Sequence, residues 1–181
     1  NISENEAFST TLGVTQLLVH FNKDVYNPAG DSDTDDVTNP ANYLLVFAPS
    51  GTFNTLGCAS GLVAPDLPIP VTSVTYSNGG GSGPFIATLN LSIPLTANGV
   101  YRLYVCGTTS IVQANNIALA LAGNGVVNGT DFIRNFTLVE PAVGRTIDAD
   151  DTKISARDIA ALLPATGFAP NRVTMLAEQP E

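Results

Sequence analysis

Apolar and polar side chains alternate with a period of two along most of the chain. In the segment 16–21, Leu17, Val19 and Phe21 share one face, as in a strand with one side against a core. The segment 42–47 is almost wholly apolar, which is typical of a central strand covered on both faces. The pattern predicts strands at residues 16–21, 42–47, 71–76, 85–93, 100–106 and 131–139.

Two segments rich in turn-forming residues connect neighbouring strands. The glycine run at 78–84 is predicted to join 71–76 to 85–93 as a hairpin. The segment 94–99 ends in Asn98 and Gly99, which adopt positive φ readily, so we predict a second hairpin between 85–93 and 100–106. No helical stretch separates these strands, and this spacing indicates an antiparallel β-sandwich and not βαβ units.

The C-terminal part has a different pattern. Residues 154–163 space their apolar side chains as on one face of a short helix, and Asp148, Asp150 and Asp151 precede them. Residues beyond Pro164 are typical of an extended linker. We therefore predict a β-sandwich domain at 1–140 and an appendage of a short helix and a linker at 141–181.

Composition agrees with an all-β fold and limits the partners. Of the 181 residues 44% are hydrophobic and only 13% charged, with 16 Gly and 12 Pro, which suits short strands joined by many turns. The net charge of −9 would repel a nucleic acid or an anionic membrane surface. No apolar run reaches the roughly 18 residues of a membrane span. We expect neither nucleic-acid binding nor membrane insertion.

The two cysteines, Cys58 and Cys106, fall in different predicted β regions. An even count in a strand-rich chain favours a disulfide and an oxidised, exported protein. The alternative is a pair of buried free thiols that pack as small hydrophobic side chains.

Four segments carry a resemblance to a known family, and they are Thr15–Val25, Asn39–Tyr43, Pro94–Tyr101 and Ile117–Phe136. They resemble the bacterial immunoglobulin-like domains of S-layer and other cell-surface proteins, and the resemblance covers about residues 10 to 139. It implies an immunoglobulin-like antiparallel sandwich, secreted or on the cell surface, whose partners are the other domains of its parent protein. It transfers no catalytic residues.

A five-residue segment near the C-terminus matches the Leu-Pro-x-Thr-Gly signal that sortases cut. Its residues are Leu163, Pro164, Ala165, Thr166 and Gly167. Residues 163–180 also resemble the segment that leads into the sortase-like catalytic domains of some surface proteins. A sorting signal, such a lead-in and a chance linker all remain open.

The acidic row of Asp31, Asp33, Asp35 and Asp36 is the best ligand candidate in the sequence. Its alternating carboxylates would let a curved loop direct several oxygen atoms at one hard cation such as calcium. The segment lacks the downstream Gly and Glu of an EF-hand, so a solvated acidic loop is the alternative. We expect no other cofactor.

Catalytic patterns are weak. His20 is the only histidine, and general-base chemistry would need an ordered partner on its strand face. The segment 57–61 has the wrong spacing for a nucleophile elbow, and no Lys or Arg lies near Cys58 to lower its thiol pKa. We therefore expect no enzyme but a structural spacer module. An adhesion module for a glycan or protein, and an accessory domain before a sortase-like domain, are the alternatives.

Overall fold

A computed structural model describes residues 3–10, 12–30, 33–125, 127–139 and 172–177 of the chain. Its strands, in chain order, are β1 (Glu6–Ser9), β2 (Val14–Phe21), β3 (Tyr43–Ala48), β4 (Leu67–Ile69), β5 (Val71–Ser77), β6 (Phe85–Leu95), β7 (Gly99–Val105), β8 (Val112–Gln113), β9 (Asn116–Ala120), β10 (Phe132–Val139) and β11 (Arg172–Ala177). The helical segments in these ranges are single 3-10 turns at Pro40–Asn42 and Gly79–Gly81. Neither they nor any other described helix is long and apolar enough to cross a membrane.

The strands form two main sheets and one small ribbon. The larger sheet has the order β1-β10-β7-β3-β4, the smaller one β11-β2-β6-β5, and β8 pairs with β9. β1 runs parallel to β10 and β11 parallel to β2, whereas the other pairs are antiparallel. The all-β prediction agrees with this architecture.

The inward faces of both sheets build one hydrophobic core. Leu17 and Leu89 come from the smaller sheet, and Leu45 and Leu103 from the larger one, and all four are at most 1% exposed. The alternation of apolar side chains in β2 and β7 therefore lies where the sequence pattern predicts it, since a strand presents every second residue to the same face.

Aromatic rings continue this core across the larger sheet. The centroids of Phe47 and Tyr101 lie 5.0 Å apart, those of Tyr101 and Phe136 5.3 Å, and those of Phe136 and Phe8 5.9 Å. Aromatic pairs at these separations contribute beyond the area they bury. The series connects β3, β7, β10 and β1.

The connection between β6 and β7 corrects the sequence prediction. The hairpin predicted for these strands is wrong, because β6 belongs to the smaller sheet and β7 to the larger one. Both strands carry an alternating apolar face. Because they lie in opposite sheets that face each other across the core, both apolar faces are buried. Gly99 has φ +139° at the start of β7, and a Cβ there would lie 2.6 Å from Cε2 of Phe47. The predicted hairpin over the glycine run does form, between β5 and β6.

β5 forms one edge of the smaller sheet. Its seven residues include no charge and no proline, and Thr72, Ser73, Thr75 and Ser77 are exposed. The other described edges of the two main sheets differ, because β1 carries Glu6, β4 carries Pro68 and β11 carries Arg172.

The C-terminal appendage is described only in part. Residues 172–177, which we predicted as linker, form β11 and pair with β2. The predicted helix at 154–163 and the sorting-like motif of Leu163, Pro164, Ala165, Thr166 and Gly167 lie outside the described residues.

Candidate functional site

The acidic loop between β2 and β3 folds with only part of its carboxylates facing solvent. Asp33 is exposed, Asp35 is half-buried and Asp36 is completely buried, whereas Asp31 lies outside the described residues. Within the described ranges, the His, Cys, Asp and Glu side chains form no group of three or more that could hold a metal ion. The carboxylates of Asp33, Asp35 and Asp36 therefore do not converge on one point.

Backbone and amide hydrogen bonds hold this loop against the start of β3. The backbone N–H of Val37 donates to the carbonyl oxygen of Tyr26 at 2.9 Å. The buried Asn42 amide donates to the carbonyl oxygens of Thr34 and Asp36 at 2.8 and 2.7 Å. These bonds satisfy the backbone of the turn and direct the Asp36 side chain to the interior.

The Asp36 carboxylate has one satisfied and one unsatisfied oxygen. Its Oδ1 accepts hydrogen bonds from the backbone N–H and from the Oγ1 hydroxyl of Thr38, both at 2.8 Å. Its Oδ2 is buried and has no hydrogen-bond partner among the described residues. The Thr38 hydroxyl also lies 3.4 Å from Oδ1 of Asn27 and 3.4 Å from the carbonyl oxygen of Gly30.

A buried phenol lies close to the same carboxylate. Tyr43 Oη donates to the carbonyl oxygen of Val37 at 2.7 Å. Burial raises the pKa of Tyr43 well above its usual value, and electrostatic interactions with Asp36 and Tyr76 raise it further. Tyr43 therefore stays a neutral phenol, and it interacts electrostatically with Asp36.

The loop that follows β3, residues 49–66, is fixed to the outer face of the larger sheet. Cys58 and Cys106 are bonded in a disulfide with a Cα–Cα distance of 5.6 Å, and no free cysteine remains. The guanidinium of Arg102 lies 4.1 Å from the ring centroid of Phe53, and Tyr104 Oη donates to the carbonyl oxygen of Thr55. The loop thereby covers the outer side of β3 and β7, and Val46 is fully buried.

Two further carboxylates organise this loop. Asp131 Oδ2 accepts the backbone N–H of Cys58 at 2.7 Å, and its Oδ1 accepts both the N–H and the hydroxyl of Thr108. Asp66 Oδ2 accepts the N–H groups of Asn54 and Thr55 at 2.9 and 2.7 Å. Burial raises the pKa of Asp66, but the hydrogen bonds from Thr55 and Asn54 outweigh burial, and the pKa is lowered overall.

His20 and a hollow beside β10 are two further candidate places for a ligand or a reaction. His20 lies on β2 opposite Ile86 of β6, and burial lowers its pKa. A shallow hollow of about 330 Å³ next to β10 has apolar walls from Ala122, Val127 and Ile133. Its polar residues bond to neighbouring protein groups, since Asn124 Oδ1 accepts the N–H of Ile133 at 2.9 Å and Asp131 holds Cys58.

Sequence reasoning missed Asn27, Gly30 and Thr38 beside Asp36, and also Asp66 and Asp131. Neutral oxygen donors give no compositional signal, because Asn, Gly and Thr are ordinary turn residues. The one readable sign was the spacing of Asp36 and Thr38, which is typical of an Asp side chain that accepts the N–H two residues later.

No protein-family profile matches the chain, and the searches find no curated protein and no solved structure similar to it. The assignment of a function therefore depends on the fold and on the contacts described above.

Proposed function

We propose that the chain is a structural spacer module with an immunoglobulin-like fold, secreted or exposed at a bacterial cell surface. The strand partition supports the fold, because β2, β5 and β6 form one sheet and β3, β7 and β10 the other, in the order typical of such sandwiches. A hydrogen bond from Tyr101 Oη at the start of β7 to the carbonyl oxygen of Ala97 supports it as well. That contact resembles the tyrosine corner of immunoglobulin-like domains.

The single observation that carries the spacer function is the parallel pairing of β1 with β10. Glu6 lies opposite Phe136 and Ser9 opposite Val139. When the first residue of β1 and the last residue of β10 are pulled in opposite directions, the two strands are sheared. All hydrogen bonds between them then carry the force at the same time. A ladder loaded in this way must break several bonds at once, which suits a module that transmits tension.

The Glu4 side chain strengthens the start of this ladder. Its Oε2 lies 3.6 Å from Nη1 of Arg134 and accepts the backbone N–H of Asn135 at 3.2 Å. The N–H of Asn5 donates to the carbonyl oxygen of Asn135 at 3.0 Å. The segment that precedes β1 is thus held by side chains as well as by the backbone.

The disulfide supports the proposed location outside the cytoplasm. Disulfides persist in oxidising compartments and are rare where thiols are kept reduced. The bond between Cys58 and Cys106 fixes a loop that covers the outer face of the larger sheet, so an export environment would complete the fold.

Single-molecule force spectroscopy tests the spacer proposal directly. Handles on the engineered cysteines S3C and V139C load β1 against β10 in shear, whereas handles on S9C and V139C, which are neighbours in register, open the same ladder from one end. We expect a higher unfolding force in the first geometry, because forced unfolding follows the barrier to the first rupture. Equal forces in the two geometries would contradict the proposal.

An adhesion module is the second candidate, and exposed apolar side chains favour it. Leu56 on the disulfide-bonded loop is 76% exposed, and Leu62, Val63 and Leu67 are also exposed. Exposed apolar side chains mark a partner surface where they form a contiguous patch, and these four would contribute to one. If this surface binds cell-wall protein or glycan, Leu56→Ser should weaken cell adhesion, while Leu12→Ser, at a comparably exposed leucine, should not.

The proposal of an accessory domain before a sortase-like domain depends on residues 163–180, and sequencing of the parent gene tests it.

A further inference from the structure

The Asp36 carboxylate is buried, and no cationic side chain of the described residues lies beside it. It is 0% exposed, and its Oδ2 accepts no hydrogen bond. In the described ranges, no Lys, Arg or His nitrogen lies within 4.0 Å of the Asp36 carboxylate. Burying an uncompensated carboxylate is costly, and buried charges are as a rule paired or coordinate a metal ion.

Three oxygen atoms lie around the Thr38 hydroxyl, beside the Asp36 carboxylate. The Thr38 hydroxyl faces Oδ1 of Asp36 at 2.8 Å, and Oδ1 of Asn27 and the carbonyl oxygen of Gly30 at 3.4 Å. One hydroxyl proton serves one of these three acceptors well. The unpartnered Oδ2 belongs to the same carboxylate, and no cationic side chain of the described residues lies within 4.0 Å of it.

We propose that a calcium ion binds at the base of this loop, held by the Asp36 carboxylate, Asn27 Oδ1, the Gly30 carbonyl oxygen and Thr38 Oγ1. Oxygen ligands of one calcium ion at about 2.4 Å from the metal are themselves separated by roughly 3 Å. The separations of 2.8 to 3.4 Å around Thr38 Oγ1 match that spacing.

The donor set selects the metal. A carboxylate with neutral amide, carbonyl and hydroxyl oxygens suits a hard cation, and the absence of nitrogen and sulfur among these ligands disfavours zinc and copper. An irregular set of protein oxygens favours calcium over magnesium, which demands near-octahedral geometry and retains its waters. With a single carboxylate among these ligands, the affinity belongs to the weak class, with Kd on the order of 10⁻⁴ to 10⁻³ M.

This site differs from the acidic row that the sequence suggested. The buried Asp36 and three neutral residues provide the ligands, whereas Asp33 is exposed and contributes its carbonyl oxygen to the N–H of Asp36 and to Asn39. Asp36→Asn should therefore abolish binding, and Asp33→Asn, which removes a charge from the same loop, should leave it nearly unchanged.

Terbium luminescence provides a direct readout in place of activity. The chain has no tryptophan, so the energy that sensitises a bound Tb³⁺ ion comes from its five tyrosines. Tyr43 is the natural sensitiser, since its hydroxyl lies 2.7 Å from the carbonyl oxygen of the residue after Asp36. We expect Tb³⁺ emission that calcium displaces and magnesium does not, and weaker emission with the same displacement midpoint in Tyr43→Phe.

The variants and a thermal measurement complete the test. Calcium at about ten times its Kd should raise the Tm of the wild-type protein by roughly 3–6 °C, with no such rise in magnesium. Asp36→Asn, checked for folding by circular dichroism, should lose at least tenfold in affinity, and Asp33→Asn less than twofold. If Asp36→Asn does not fold, Thr38→Val replaces it, with the same expected direction.

Three results would overturn the proposal. They are a wild-type Tm that calcium leaves unchanged, equal losses of affinity in Asp33→Asn and Asp36→Asn, and unaltered binding in Thr38→Val. The spacer function stands or falls separately, because its test reads the unfolding force along β1 and β10.

Discussion

The phenolic oxygen of Tyr101 lies 2.7 Å from the carbonyl oxygen of Ala97, four residues earlier in the chain. This contact fixes the crossing between the two sheets, because Ala97 lies in the connection after β6 and Tyr101 lies in β7. The ring itself packs between Phe47 and Phe136. Tyr101 thus combines core packing with control of the connection.

Tyr101→Phe should therefore destabilise the protein without changing its fold. The variant keeps the ring stack and removes only the hydrogen bond, so we expect a loss of about 0.5–1.5 kcal/mol in the free energy of unfolding. Denaturant unfolding with an unchanged m value measures this loss. Phe47→Leu, which perturbs the stack and keeps the hydroxyl, is the matched control. A stability equal to that of the wild type would show that the hydroxyl contributes nothing.

Breaking the disulfide should cost considerably more. The bond spans a sequence separation of 48 residues, and the chain-entropy treatment gives about 4 kcal/mol for a loop of that size. We expect the double variant Cys58→Ala/Cys106→Ala to lose about 2–5 kcal/mol in the free energy of unfolding. Reductant should lower the Tm of the wild type and leave that of the double variant unchanged. A Tm of the wild type that does not respond to complete reduction would contradict this expectation.

Asp66 should make stability depend on pH in the acid range. The pKa of Asp66 is lowered in the folded protein, so its unfolded form binds a proton at higher pH than its folded form does. The stabilisation is therefore fully present above the unfolded pKa of about 3.9 and disappears as the pH falls through the folded pKa.

Asp66→Asn isolates this effect. At pH 7 the variant should be less stable than the wild type, because the N–H groups of Asn54 and Thr55 lose a charged acceptor. The difference should narrow below about pH 4, where the wild-type carboxyl becomes protonated as well. Thermal unfolding of both proteins between pH 2 and 7 measures this difference in stability. A difference in Tm that stays constant over this range would exclude a role of the Asp66 charge.

Local sequence patterns predicted six of the strands, β2, β3, β5, β6, β7 and β10, because each carries an apolar or β-branched signature of its own, and they did not predict β1, β4, β8, β9 and β11. Leu17, Val19 and Phe21 of β2 and Leu103 and Val105 of β7 are buried as their alternation required. The near-continuous apolar run of β3 also met its expectation, with Leu45 and Val46 both buried. These predictions need no knowledge of the partner strand.

Pairing between strands was less accessible to sequence reasoning. Asn98 and Gly99 have the chemistry of a hairpin turn, yet the chain uses them to pass from one sheet to the other. The deciding contacts, Tyr101 with Ala97 and the Phe47 ring over Gly99, depend on the assembled core. The acidic row drew attention to the loop that contains Asp36, but burial of Asp36 beside Thr38 follows only from the folded turn.

The open edge of β5 has a consequence for how the protein behaves on concentration. Most sheet edges are protected by a charge, a proline or short length, and the seven residues from Val71 to Ser77 have none of these. Among the described residues no strand pairs with the outer side of β5, so its outward backbone N–H and C=O groups can accept one more strand. Crowded solutions of the module should therefore form fibrous or oligomeric material through this edge, and one lysine in place of Thr75 should keep the molecules apart.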